Sequence, residues 1–261
     1  MRPVPVLMYH HINPHKGDIV TVTPEVFAGQ MEHLYKKGIR TLTLDELMDV
    51  IRGDIVLREK AVVVTFDDGW LDNYVYAFPS LIKYGIKAAI FLVTDRVDSA
   101  SSSCCEMPLT IPNHAESKSL IQGREDRRVV LNWTLVNEMK KSGLVEFYSH
   151  TKSHARCNEL DEDRLLNELT GSKHKIEERL GILCPHLCWP YGKYTDKAME
   201  TAKQAGYKAL FTTKHGVVKA GDNPYEIKRI VVKDSISWFR KRMLVYTSSM
   251  LSDFYLRIKS E

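Results

Sequence analysis

The sequence predicts an α/β fold, a (β/α) barrel of seven or eight strands, closed or slightly open. Short β-branched runs alternate with amphipathic helical stretches along nearly all 261 residues. One run, residues 61–66 (AVVVTF), is apolar with no polar alternation, the pattern of a strand covered on both faces. The alternation recurs seven or eight times, which suits a barrel better than an open, doubly wound sheet.

The first strand is expected at residues 4–8. Thr23-Pro24-Glu25 then places an N-cap before a proline at the first helical position; Phe27, Met31 and Leu34 share a face, and Gly38 stops the helix. A second strand at 39–41 leads to Thr43 and Glu46, spaced as a capping box, and to a helix carrying Leu47, Met48 and Ile51 up to Gly53. The strand at 61–66 breaks into Asp67-Asp68-Gly69, followed by a helix through Tyr74, Phe78 and Leu81 and a strand at 88–93. From 95 to 130 the rhythm lapses into Ser, charge and Cys without clear period, long enough for a lid or acceptor-binding insertion. It resumes with a helix near 134–142, a strand at 144–148, a helix at 161–180, a short strand at 187–189, a helix at 198–205, and strands at 209–212 and 227–232. One domain, residues 1–235, is the economical reading, followed by a helical segment at 236–261.

Composition narrows the class. With 44% hydrophobic and 27% charged residues the chain is neither disordered, collagen-like nor a polytopic membrane protein. Pro3 and Pro5 interrupt the apolar N-terminus, so no secretory core is expected and a cytoplasmic location follows. The five cysteines, with Cys104 and Cys105 adjacent and Cys157, Cys184 and Cys188 distant, suggest no disulfide framework. The net charge of +4 is unevenly spread: residues 228–261 hold 8 basic and 3 acidic groups, residues 1–227 hold 29 and 30. A neutral barrel argues against a nucleic-acid partner. Trp238, Phe239, Tyr246, Phe254 and Tyr255 interleave with the tail's charges, so 236–261 reads either as a peripheral contact with the inner, anionic face of a membrane or as an ordinary helix packed on the barrel.

Barrel active sites lie at the C-terminal ends of the strands, and three polar groups fall there: Asp67-Asp68, His150 with His154, and Pro190-Tyr191-Gly192. Adjacent carboxylates repel unless a cation or shared proton relieves them, so one can bind a metal while the other stays free as a base. Alone, Asp-Asp-Gly would read as a turn. His150 and His154, spaced i and i+4, can chelate from a helix or a loop. With one aspartate they make the three protein ligands of a catalytic zinc or similar divalent site, leaving a position for water.

Thr65-Phe66-Asp67-Asp68-Gly69 and His150-Thr151-Lys152-Ser153-His154 resemble, in order and separation, the first two motifs of the polysaccharide deacetylases, carbohydrate esterase family four, or NodB homology domain. Residues 6–10 (VLMYH) and 188–192 (CWPYG) resemble the branch with a YPYG-like motif, and the likeness runs from about 4 to 235. It implies a distorted (β/α) barrel and a metal-dependent hydrolase that removes the N-acetyl group of an amino sugar. By similarity, Asp68, His150 and His154 hold one divalent metal ion, zinc foremost, Asp67 is the general base, and Tyr191, beside Pro190, offers its backbone N–H to the oxyanion. Without an export segment and with a basic tail, the resemblance extends to enzymes of lipid-linked (polyprenyl-phosphate) amino sugars in lipid A modification, or of another glycan precursor.

The sequence also departs from the pattern. Cys188 stands where many members have an arginine that orients the base, so Asp67 has no assigned partner. No late Leu-x-His motif supplies the leaving-group acid. His10, after the first strand, is a candidate acid or a buried structural histidine, and His215 reads as a loop histidine. These gaps keep two alternatives open: a carbohydrate-binding protein without catalysis, and a metal-dependent hydrolase of another bond. Trp133 and Tyr148 are sugar-stacking or buried aromatics; Cys184, His186 and Cys188 are a second metal site or free thiols.

Overall fold

Seven parallel strands close on one another in the computed structural model, which describes residues 2–102 and 110–260. The chain runs β1 (Val4–Tyr9), β2 (His11–Ile12), β3 (Thr21–Val22), α1 (Pro24–Lys36), β4 (Arg40–Thr41), α2 (Leu44–Arg52), β5 (Ala61–Phe66), α3 (Phe78–Tyr84) and β6 (Ala88–Leu92). It continues through α4 (Thr94–Ala100), α5 (His114–Gln122), α6 (Trp133–Lys141), β7 (Val145–Ser149), α7 (Glu162–Leu180), β8 (His186–Cys188), α8 (Asp196–Gln204), β9 (Ala209–His215), β10 (Val217–Val218), β11 (Ile227–Val231), α9 (Ile236–Tyr246) and α10 (Ser249–Ser260).

The ring is β1-β5-β6-β7-β8-β9-β11 and back to β1, every pair parallel. The expected strand at 39–41 is present as β4 but is not a stave. It pairs with the first residues of β5 (Arg40↔Ala61), while the last four pair with β1 (Val63↔Val6 to Phe66↔Tyr9). A parallel ring sends all seven C-terminal ends to one rim. All six residues of β5 are buried, as an uninterrupted apolar run requires of a strand with the barrel interior on one side and helices on the other.

Local signals mostly held. Thr43 and Glu46 form the expected reciprocal capping box, and Gly53 closes α2 in the left-handed conformation. Thr23 precedes α1 but makes no side-chain cap. Its N–H and hydroxyl both donate to Asp234 Oδ1, at 2.9 and 2.8 Å, tying the start of α1 to the segment after β11. Among its described residues the stretch at 95–130 holds most of α4, all of α5 and a 3₁₀ turn at Asp126–Arg128. α5 was invisible to periodicity because it buries only Ser117, yet Asn113 and Glu116 give it a full capping box. Cys104 and Cys105 lie outside the described residues; Cys157, Cys184 and Cys188 are free and buried.

The tail is a docked element. Phe239, Met243 and Tyr246 form the buried face of α9, Ile236 sits over Gly29 of α1, and Phe239 meets His33 edge-on at 6.1 Å. Arg242 lies over the ring of Tyr255 at 4.3 Å and near those of Trp238 and Tyr246. This packing accounts for Phe239, Met243 and Tyr246, the second of the two readings above, while Leu244, Met250, Leu251 and Phe254 stay exposed. Arg229, part of the tail's charge excess, belongs to β11 and is fully buried in the barrel, so the charge division by sequence position does not match the division in space. Among the described residues no helix is long and apolar enough to cross a membrane.

Candidate active site

The rim is built by extending the parallel ladders one residue past the strands. Asp67 N donates to Tyr9 O (3.0 Å), His150 N to Leu92 O (2.8 Å) and Trp189 N to Phe211 O (3.1 Å). These bonds hold Asp67, His150 and Trp189 in strand-like register before the chain turns away. Asp68 (φ 72°), Thr151 (65°), His154 (66°) and Tyr191 (58°) then adopt the left-handed region. That conformation costs non-glycine residues roughly 1–2 kcal/mol each, and its clustering here marks a functional centre.

His150 and His154 lie in a loop, not on one helix face. Glu168 of α7 accepts from Lys152 N, Ser153 N and Ser153 Oγ at 3.0, 2.8 and 2.6 Å, and Thr151 Oγ1 accepts from His154 N at 3.2 Å. The loop folds back until the two imidazoles stand 4.9 Å apart, centroid to centroid. His150 Nδ1 bonds Cys188 O at 2.8 Å, so Nδ1 carries the proton and Nε2 keeps a lone pair.

That lone pair faces Asp68. Asp68 Oδ1 is 3.0 Å from His154 Nε2 and 3.8 Å from His150 Nε2; it is buried and accepts no hydrogen bond, while Oδ2 accepts from Trp70 Nε1 at 3.1 Å. Burial opposes its charge, but His154 and His150 hold its carboxyl well below the usual range. The three ligand atoms lie within 4.8 Å of one another. An orphaned, buried carboxylate oxygen facing two imidazole nitrogens is a donor set that fits a divalent cation of the zinc type.

Asp67, the neighbouring residue, points elsewhere and has its own cation. Arg229 donates Nη1 to Oδ1 at 2.7 Å and Nη2 to Oδ2 at 2.8 Å, a bidentate pair inside the barrel. The guanidinium is itself held, with Nε on Thr212 O (2.8 Å), Nη1 on Thr65 Oγ1 (3.3 Å) and Nη2 near Cys188 Sγ (3.0 Å). Burial pushes the Asp67 carboxyl up and Arg229 overrides it, leaving it at about 2. Sequence reading missed Arg229 because it sought the partner beside Tyr191, where Cys188 stands. Its signal was a lone arginine in IKRIV, two residues from Ile227 and so on the same strand face.

His10, after β1, has Nε2 3.7 Å from Asp67 Oδ2 and stays partly exposed to the cleft. Burial lowers its pKa against the opposing pull of Asp67 and Asp68. Tyr191 stands at the lip, 52% exposed, its ring 4.6 Å from His154 and 4.5 Å below the Arg156 guanidinium; Pro190 is buried. Gly192 at φ 63° is required there, since a Cβ would sit 2.1 Å from Thr213 Oγ1. His10, Asp67, Asp68, His150, His154 and Tyr191 line a cleft of about 480 Å³ to which α5 contributes His114, Lys118, Ile121 and Gln122.

Not every singled-out residue comes to this cleft. Trp133 is set apart: 7% exposed at the start of α6, it donates Nε1 to Asp98 Oδ1 at 2.7 Å and touches no catalytic group. Tyr148 is buried against His186, which bonds Asp45. Cys184, His186 and Cys188 form no metal-holding cluster together among the described residues; Cys188 alone of the three lies in such a group, with Asp67 and His150. His215 is bonded by its Nε2 to Tyr246 Oη at 3.2 Å.

The family model described as polysaccharide deacetylase matches residues 55–210, a span that holds Asp67, Asp68, His150, His154 and Tyr191. The chain belongs to the polysaccharide deacetylase family. A Bacillus subtilis protein named for the same family, YxkH, is 27% identical over 234 residues, covering 90% of this chain and 73% of that protein. The poly-β-1,6-N-acetyl-D-glucosamine N-deacetylase of Escherichia coli K12 is 26% identical over 262 residues, covering 88% of this chain and 37% of that much longer protein. A polysaccharide deacetylase structure from Bacillus cereus superposes with a TM-score of 0.73 at 28% identity, covering 92% of this chain and 69% of that one.

Proposed function

We propose that this deacetylase-family chain is a metal-dependent N-deacetylase of an N-acetylated amino-sugar glycan. The observation that carries it is the division of labour between two consecutive carboxylates. Asp68 faces His150 and His154 with an orphaned oxygen, whereas Asp67 is charged, buried and clamped by Arg229. Asp68, His150 and His154 would hold a divalent ion, and zinc suits two nitrogens and one oxygen. Such an ion supplies Lewis acidity toward the acetyl carbonyl and lowers the pKa of a water.

The remaining work falls to the chain's own groups. Asp67 accepts the proton of the attacking water, and Arg229 keeps it ionised and aimed. His10, on the same side of the cleft and near Asp67, delivers a proton to the departing nitrogen. Tyr191 borders the site from the lip, where its backbone N–H meets the developing oxyanion. The bidentate Arg229 removes one of the two motives for a non-catalytic sugar binder, the missing orienting arginine; the other, the absent late Leu-x-His acid, is met in this reading by His10. The relative acting on β-1,6-linked N-acetylglucosamine directs the reading to a polymeric glycan in preference to a lipid-carried precursor. The test is acetate release from N-acetylated glucosamine oligomers. Release by the zinc-loaded protein, abolished by chelator and by Asp67→Asn, supports the reading, and release that survives both refutes it.

A further inference from the structure

Across the cleft from the catalytic groups, α5 presents His114, Lys118 and Gln122 at four-residue spacing on one helix face. His114 is the outer end of a buried chain of hydrogen bonds. Asp72 Oδ2 meets His11 Nδ1 at 2.6 Å, and His11 Nε2 meets His114 Nδ1 at 2.9 Å. Asp72 and His11 are each 1% exposed. Asp72 is further held by Asn73 Nδ2 (3.0 Å), Asn13 Nδ2 (3.3 Å) and Ile12 N (3.4 Å), and Asn13 Nδ2 also reaches Pro112 O, just before α5, at 2.8 Å. Trp70 packs on His11 with centroids 4.2 Å apart while its Nε1 bonds Asp68, so the chain of bonds abuts the candidate metal ligands.

Proton bookkeeping sets what the outer end offers. An ionised Asp72 only accepts, so His11 Nδ1 carries a proton. With His11 neutral, its Nε2 presents a lone pair, to which His114 Nδ1–H donates. His114 Nε2 is left as an acceptor, and no group among the described residues bonds it. Burying a carboxylate and an imidazole is a costly way to pin a surface helix. What the arrangement achieves is one tautomer and one ring orientation at the cleft wall. An acceptor there calls for a donor on the ligand, and sugar hydroxyls are donors.

We propose that His114 is a specificity residue that accepts a hydroxyl of the glycan unit adjoining the one deacetylated, with Asp72 and His11 as positioning residues that fix its tautomer. The proposal rests on the deacetylase reading above. The probes are β-1,6-linked N-acetylglucosamine pentamer and the monosaccharide, each assayed with zinc-loaded parent, His114→Ala and His114→Gln. Expected for His114→Ala is a KM for the pentamer raised about tenfold, the scale of one lost hydrogen bond, with kcat within about twofold and bound zinc unchanged. His114→Gln recovers most of the loss, and neither variant alters turnover of the monosaccharide. Histidine ¹⁵N spectra of the parent place the His114 proton on Nδ1. Unchanged pentamer KM in His114→Ala with an active parent overturns this proposal alone, as does a proton on Nε2. A parent that releases no acetate from either probe overturns the deacetylase reading and this proposal with it.

Discussion

Arg229→Met tests the link between fold and chemistry at its most buried point. The arginine is 1% exposed and its partner Asp67 is 2% exposed, so the substitution leaves a buried carboxylate without its cation. Breaking one side of such a pair costs about 3–5 kcal/mol, which for a chain of this size lowers Tm by on the order of 10 °C. The pH dependence has a definite sign. In the parent, Arg229 holds Asp67 at about 2, below its ordinary value of 3.8, so this stabilisation is present above that ordinary value and lost as pH falls toward 2. In the variant, burial, the largest influence, raises the carboxyl against only the weaker pull of His10 and His150, so the variant loses stability as pH rises through 3.8. The gap between parent and variant therefore widens from acid to neutral pH. Urea denaturation of both proteins at pH 4 and pH 7 measures it. Turnover falls about 100-fold or more at pH 7, because the base is harder to ionise and no longer aimed. A cost below about 1 kcal/mol at pH 7, or a gap that narrows toward neutrality, refutes the assignment of Arg229 as the cation of the base.

Three further outcomes follow from the same geometry. Glu46, bonded to Thr43 N, Arg40 and Lys87 and held at about 2 despite partial burial, stabilises the start of α2 above its ordinary value of 4.5 and loses that effect as pH falls toward 2; Glu46→Gln costs about 1 kcal/mol in thermal melts at pH 7 and flattens the acid limb. Gly192→Ala forces a Cβ toward Thr213 at φ 63°, costing about 2–4 kcal/mol and raising KM by displacing Tyr191; an unchanged melting curve contradicts the turn geometry. Trp133→Phe removes the bond to Asp98 for about 1–2 kcal/mol of stability and leaves KM alone, whereas a raised KM would return Trp133 to the site.

The barrel was readable because its strands are short apolar runs punctuated by glycine, and the convergence of Asp68, His150 and His154 because Asp67-Asp68 and His150 with His154 fall after such runs. Two kinds of feature were not readable. Trp133 carries no sign of which way it points; only the packing of α6 shows its indole turned to Asp98. Arg229 and His114 come from β11 and α5, far in sequence from the residues they serve, and only ring closure and the docking of α5 bring them near. The charge excess at the C-terminus is smaller in space than in sequence for a related reason, since one of its cations is an interior group.

The central claim is that Asp67 is the base and Asp68 a metal ligand, two carboxylates side by side with different work. Parallel measurement of bound zinc and acetate release for Asp67→Asn and Asp68→Asn tests it most directly. The account predicts that Asp67→Asn keeps stoichiometric zinc while releasing acetate at least about 100-fold more slowly, and that Asp68→Asn loses zinc and activity together. Zinc lost from Asp67→Asn and retained by Asp68→Asn, or full activity in either variant, would contradict it.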